Sequence, residues 1–250
     1  MAPPRSYRAL DPTKVVETLE KLQQRISARF PSSGLSKVCA DLIDVAKQTS
    51  RRIVYVSRPN WLLRLLLMLM AGAAIAILAY LALQVARLKG SDVWSDTLQG
   101  VDALVNLLVL LGGGAFFVST LETRWKRSRA LEALHELRSI VHVIDMHQLT
   151  KDPSAMGAVR TPSSPARNLT PIELVRYLDY CSEMLSLTAK CSALYAERLS
   201  DSVVVDTVGD IERLTSSLSN KIWQKITIIE TLYGRDVPLP SIGESNKVPT

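Results

Sequence analysis

Two long apolar runs dominate the hydrophobic pattern, set in a chain whose other segments are amphipathic. Leu65 to Leu83 is nineteen residues without a charge, and Ala103 to Val118 is sixteen more, with Asn106 as the polar interruption. A membrane-crossing helix needs roughly 20 predominantly apolar residues. With Leu62–Leu63, Val101 and Ser119–Leu121 added, both runs reach that length. The pattern predicts a two-span transmembrane helical hairpin over residues 59–121, with spans at about 61–86 and 98–121. Gly90 to Gln99 is too short to be anything but a turn outside the bilayer.

On either side the apolar residues recur at helical spacing. Asp11-Pro12 reads as a helix start, because Asp can cap free amides and Pro at the first helical position loses no hydrogen bond. Val15, Leu19, Leu22 and Ile26 then make one stripe on a helix ending near Phe30. Pro31-Ser32-Ser33-Gly34 is a turn. Leu35, Val38, Cys39, Leu42, Val45 and Ala46 put a second helix on the same plan, running on toward Pro59. Together these make an N-terminal cytoplasmic helical hairpin, residues 1–58.

No turn signal follows the second span, so its helix is expected to continue to about Leu149, with Leu134, Leu137, Val141 and Ile144 as its apolar stripe. Residues 151–170 hold several prolines and few bulky apolar residues and read as a linker. Thr170-Pro171-Ile172-Glu173 is a capping box. It opens a helix with Leu174, Leu178, Cys181 and Leu185 on one face. After Ser200-Asp201-Ser202, a last helix carries Val204, Val208, Ile211, Leu218, Ile222, Ile229 and Leu232, close to a heptad seam. Gly234 and the following prolines end it, and residues 235–250 form a polar tail read as disordered. With no strand alternation anywhere, the fold class is all-α: the two-span hairpin with a cytoplasmic four- to five-helix bundle, whose second part is residues 122–234.

Charge fixes the expected orientation. Lys47, Arg51, Arg52 and Arg58 precede the first run, Arg124, Lys126, Arg127 and Arg129 follow the second, and the loop between offers only Arg87 and Lys89. By the positive-inside rule both termini are expected in the cytoplasm, with the protein multi-pass in the cell inner (plasma) membrane. Trp61 and Trp125 fall at the inner interface and Trp94 at the outer one. The net charge of +6 would admit nucleic acid as a partner, but residues 1–64 carry twelve Lys/Arg against five Asp/Glu while residues 120–250 carry sixteen of each. The surplus lies beside the membrane, where it meets lipid headgroups, so the lipid bilayer is the expected partner and nucleic acid is not. No secretory leader is expected at the start of the chain. The thiols of Cys39, Cys181 and Cys191 read as small buried hydrophobes in a reducing compartment.

Candidate chemistry is sparse. His135, His142 and His147 fall within thirteen residues. At helical spacing His135, Arg138 and His142 share one face with Asp145 at its edge, while His147 points elsewhere. His135 and His142 are two turns, about 10 Å, apart, so a metal site of His135, His142 and Asp145 would need help from another helix. In the second span Asp102 and Asn106 lie one turn apart, and Gly113 continues their face. Ionisable groups inside membranes are functional candidates, so this strip is either pore-lining or a helix-packing surface. There is no nucleophile elbow, P-loop or dinucleotide fingerprint, no enzyme is expected, and no cofactor is implied. Two-span channel families offer an architectural comparison, but the Gly-Met-Asn of CorA-type magnesium channels and the Asp-Ile-Met-Glu of calcium uniporters are absent.

The expectation from sequence is therefore a non-enzymatic integral inner-membrane protein. Its cytoplasmic bundle would serve as an oligomerisation or interaction platform, self-associating and binding a further cytoplasmic protein. The alternative is an oligomeric ion channel lined by the second transmembrane helix.

Overall fold

The computed structural model of the chain describes residues 9–56, 61–87, 93–153, 162 and 169–233. The protein is all-α across these residues: α1 (Pro12–Arg29), α2 (Gly34–Val56), α3 (Trp61–Arg87), α4 (Val93–Leu149), α5 (Pro171–Arg198) and α6 (Ser202–Tyr233). The chain forms two compact units, residues 56–130 and residues 1–55 together with 131–250. α1 and most of α2 fall in the same unit as α5 and α6.

Local signals account for most helix ends. The Asp11 carboxylate accepts from the Thr13 amide at 2.9 Å, with Pro12 as first helical residue. The Phe30 amide closes α1 on the Ile26 carbonyl. Ser32 then takes a φ of 58°, a left-handed conformation that reverses the chain into α2. At α5 the capping box is complete: Thr170 Oγ1 accepts from the Glu173 amide at 3.3 Å, and Glu173 Oε2 accepts from the Thr170 amide at 2.8 Å. The Thr170 amide, and after it the Thr170 hydroxyl donating at 2.9 Å, hold the Glu173 carboxylate below its usual range. Thr170→Ala removes the hydroxyl that accepts from the Glu173 amide and keeps the backbone amide that donates to Glu173 Oε2, so it should lower stability by about 1 kcal/mol. Thr170→Ser should restore most of it in a thermal melt. Asp201 caps α6, its carboxylate accepting from the Val203 and Val204 amides at 3.1 and 3.3 Å.

The core of the larger unit is built from stripes. Val15, Leu19, Leu22 and Ile26 of α1 and Leu134, Leu137, Val141 and Ile144 of α4 are all buried, as the spacing predicts. α5 differs: its buried surface takes in Tyr177, Tyr180, Met184, Thr188, Cys191 and Tyr195 besides the predicted stripe, because α5 packs against both α1 and α6. In α6 the predicted seam is corrected at three positions. Thr215 and Ile226 fill the gaps in it, and Leu232 is 61% exposed. Thr215 is tolerated there because its hydroxyl donates to the Ile211 carbonyl at 2.9 Å.

α1 is fastened to α5 by an Arg25–Glu183 ion pair, with the same guanidinium 5.7 Å from the Tyr180 ring centre. Phe30 sits edge-on to Tyr177 and Tyr180 at 5.6 and 6.2 Å. α2 is tied to α4 by Arg52, which bonds Glu136 at 3.0 Å.

In the unit of residues 56–130, α4 begins at Val93, so residues 93–99, expected as turn, are helical. Large apolar side chains stay exposed along both helices, Met68 at 72% and Phe116 at 74%, together with Leu69, Ile75, Leu110 and Phe117. Gly114 is where the two helices close up: a Cβ there would meet Met70 Cε at 3.5 Å. Among the described residues no helix is long and apolar enough to cross a membrane. The side chains of Leu62, Leu63, Leu66, Leu67, Leu78 and Leu81, which the first predicted span depends on, lie outside the described set. So do residues 88–92 of the predicted outer turn, most of the linker over 151–170, and the tail beyond Tyr233.

Candidate functional site

His135 and His142 are both exposed on α4, and the Asp145 carboxylate accepts from Gln148 Nε2 at 2.6 Å. Among the described residues no group of three His, Cys, Asp or Glu side chains is placed to hold a metal ion.

Asp102, Asn106 and Gly113 are likewise exposed on α4. A Cβ at Gly113 would meet nothing within 4 Å, whereas one at Gly114 would touch Met70 Cε.

The convergence of polar groups occurs instead at the end of α4. Gln148 is buried, its carbonyl accepts from Lys225 Nζ at 2.9 Å, and its side-chain oxygen accepts from the same ammonium at 2.8 Å. A cation there answers the unpaired carbonyls and negative dipole end of a helix C-terminus. Burial pushes the Lys225 ammonium below its usual range, with Asp152 and Asp145 opposing.

Beside this lies a cavity of about 340 Å³ lined by Phe30, Ser33, Gly34, His147, Thr150, Lys151, Leu169 and Tyr177. His147 reaches it because Gly34 has no side chain: a Cβ there would lie 2.5 Å from His147 Cε1. The Tyr177 hydroxyl is 3.4 Å from His147 Nδ1, and Lys151 Nζ lies 5.3 Å from the Tyr177 ring centre. Burial, followed by the nearby Lys151 charge, holds the His147 imidazole below its ordinary value. Burial also pushes the Tyr177 hydroxyl well above its own. At neutral pH the cavity therefore presents a neutral imidazole, a protonated phenol and one ammonium.

Reading α4 by itself turned His147 away from the other histidines, which is correct. What makes it a site residue comes from α2 and α5, far away in the chain. The three cysteines offer no nucleophile: Cys39, Cys181 and Cys191 are buried, and each thiol is pushed up to about 12, chiefly by burial. A reactive cysteine needs the opposite environment.

Comparison with known proteins finds no matching family model, curated protein or solved structure.

Proposed function

We propose that the chain is a non-enzymatic integral inner-membrane protein, anchored by a hairpin of two spans at about 61–86 and 98–121. Residues 1–55 and 131–233 then form a cytoplasmic platform for self-association and for a protein partner. The observation that carries this reading is the exposure of large apolar side chains on the helices of residues 56–130. A helix that is apolar all round belongs in a core or a bilayer, and soluble monomers rarely leave so many contiguous apolar side chains in water. The uncharged runs and the basic residues flanking them support insertion with both termini in the cytoplasm.

Two measurements test it. The full chain in isolated membranes should resist alkaline carbonate extraction and partition with detergent; release into the carbonate supernatant would overturn the anchoring. Solubilised in mild detergent, it should give a particle of more than one copy by native mass spectrometry; a strict monomer would remove self-association.

The channel reading rests on Asp102, Asn106 and Gly113, which lie open on α4 and could face a pore axis in a closed ring. Flux in proteoliposomes that is abolished by Asp102→Ala and Asn106→Ala would favour the channel over the platform. Absence of flux from a ring of four or more copies would remove it.

A further inference from the structure

We propose that the cavity at the His147 end of α4 binds a phosphate monoester group, carried by a small molecule or by a lipid. The polar atoms around it are suited to an anion. None of its lining residues is a carboxylate, whereas Lys151 contributes an ammonium that has no acidic partner among the described residues. A tetrahedral oxyanion takes several donors at once, and lysine serves phosphate as a point charge. Two further hydroxyls, from Ser33 and Thr150, line the cavity, and the Tyr177 hydroxyl meets His147 Nδ1 there. The Ser33 oxygen already accepts from the Ser36 amide at 3.2 Å, so its proton is the part left to offer.

His147 supports the same polarity. It stands between Tyr177 and Lys151, where a further positive charge is disfavoured by both burial and the ammonium. An anion seated beside it would reverse that balance and let the imidazole donate as a cation. At about 340 Å³ the cavity is larger than a phosphate group alone. The remaining wall is the apolar edge of Phe30 and Leu169, which suits an apolar or aromatic portion of the phosphate carrier. Asp145 is bonded to Gln148, and both Asp145 and Asp152 act on Lys225.

The experiment is titration calorimetry on the full chain in mild detergent with inorganic phosphate and with phenyl phosphate. A parallel arm measures retention of phosphatidic acid against phosphatidylcholine in nanodiscs. Binding in either arm should weaken about tenfold or more in Lys151→Met, the loss expected for one charge-assisted contact. Lys190→Met, on the exposed face of α5, should leave it unchanged. Binding in the soluble arm would mark a small-molecule phosphate; binding confined to phosphatidic acid would place the same chemistry on a lipid. As a second readout, the His147 ring, assigned in the NMR spectrum with His147→Gln, should titrate at higher pH once phosphate is bound. Equal affinity in the wild type and Lys151→Met, no binding in either arm, or an unmoved His147 titration would each overturn the assignment. Because the soluble arm does not depend on insertion into a bilayer, failure here is distinguishable from failure of the membrane anchor.

Discussion

Replacing Tyr195 by alanine is expected to cost about 3–5 kcal/mol of folding free energy, the range for emptying a buried aromatic site. Tyr195 is the largest fully buried side chain among the described residues, at 1% exposure. It lies on α5, the helix that buries the broadest surface, so its neighbours cannot collapse into the vacancy without moving α5. Its hydroxyl contributes little to that cost, because the bond to Thr49 Oγ1 is long, at 3.5 Å. Tyr195→Phe should therefore lose no more than about 1 kcal/mol. Thermal melts in mild detergent, followed by amide exchange on α5, separate the two variants. Equal losses would place the energy in the hydroxyl and refute the packing account.

Alkaline pH should unfold the unit containing α1, α2, α5 and α6 over a narrow interval. Cys39, Cys181 and Cys191 have thiols pushed up to about 12, with burial the main cause at each. A group whose folded pKa is raised contributes stability that is complete below the unfolded value and is lost as pH climbs through the folded one. Unfolded thiols ionise near 8.5–9, so the loss begins there and continues to about 12. Each thiol should cost about 1.4 kcal/mol per pH unit in that window, and the three together roughly 4 kcal/mol per unit. The Tyr177 and Tyr195 hydroxyls, also shifted upward by burial, steepen the upper end. Denaturation midpoints between pH 8 and 11 test this. The wild type should fall steeply, while a variant with all three cysteines replaced by alanine should be less stable at pH 8 and flatter above it. A flat wild-type profile would mean that the thiols ionise within the fold.

These two expectations draw on different levels of information. That Cys181 is buried follows from its place on the stripe of Leu174, Leu178 and Leu185. That Leu187, Cys191 and Leu194 are buried does not, since they lie off that stripe and are covered because α5 has neighbours on more than one side. Leu232 makes the converse point: it continues the α6 seam by spacing, yet the structure leaves it exposed.

The candidate site divides the same way. Periodicity along one helix placed His135 and His142 together, and they do share an exposed face. It could not reveal whether another ligand approaches them, because a ligand set is a property of several helices; among the described residues none completes a group of three. His147 is the reverse case. Its partners, Gly34 and Tyr177, come from α2 and α5, and the signal at Gly34 is only the absence of a side chain where an imidazole passes. A glycine at a turn is expected for its backbone freedom, so nothing local marks it as a contact.

By itself the sequence determined where the helices are and which face of each is apolar, since caps, prolines and 3.6-residue spacing act within a few residues of chain. It also supplied the uncharged runs and basic flanks on which the membrane proposal stands, because bilayer thickness and charge are read linearly along a chain. Tertiary structure alone decided that α5 is buried on a broad face. It decided as well that His147, Lys151 and Tyr177 meet at one cavity. Such juxtapositions depend on packing between segments remote in the chain, and no local pattern encodes which remote segments will meet.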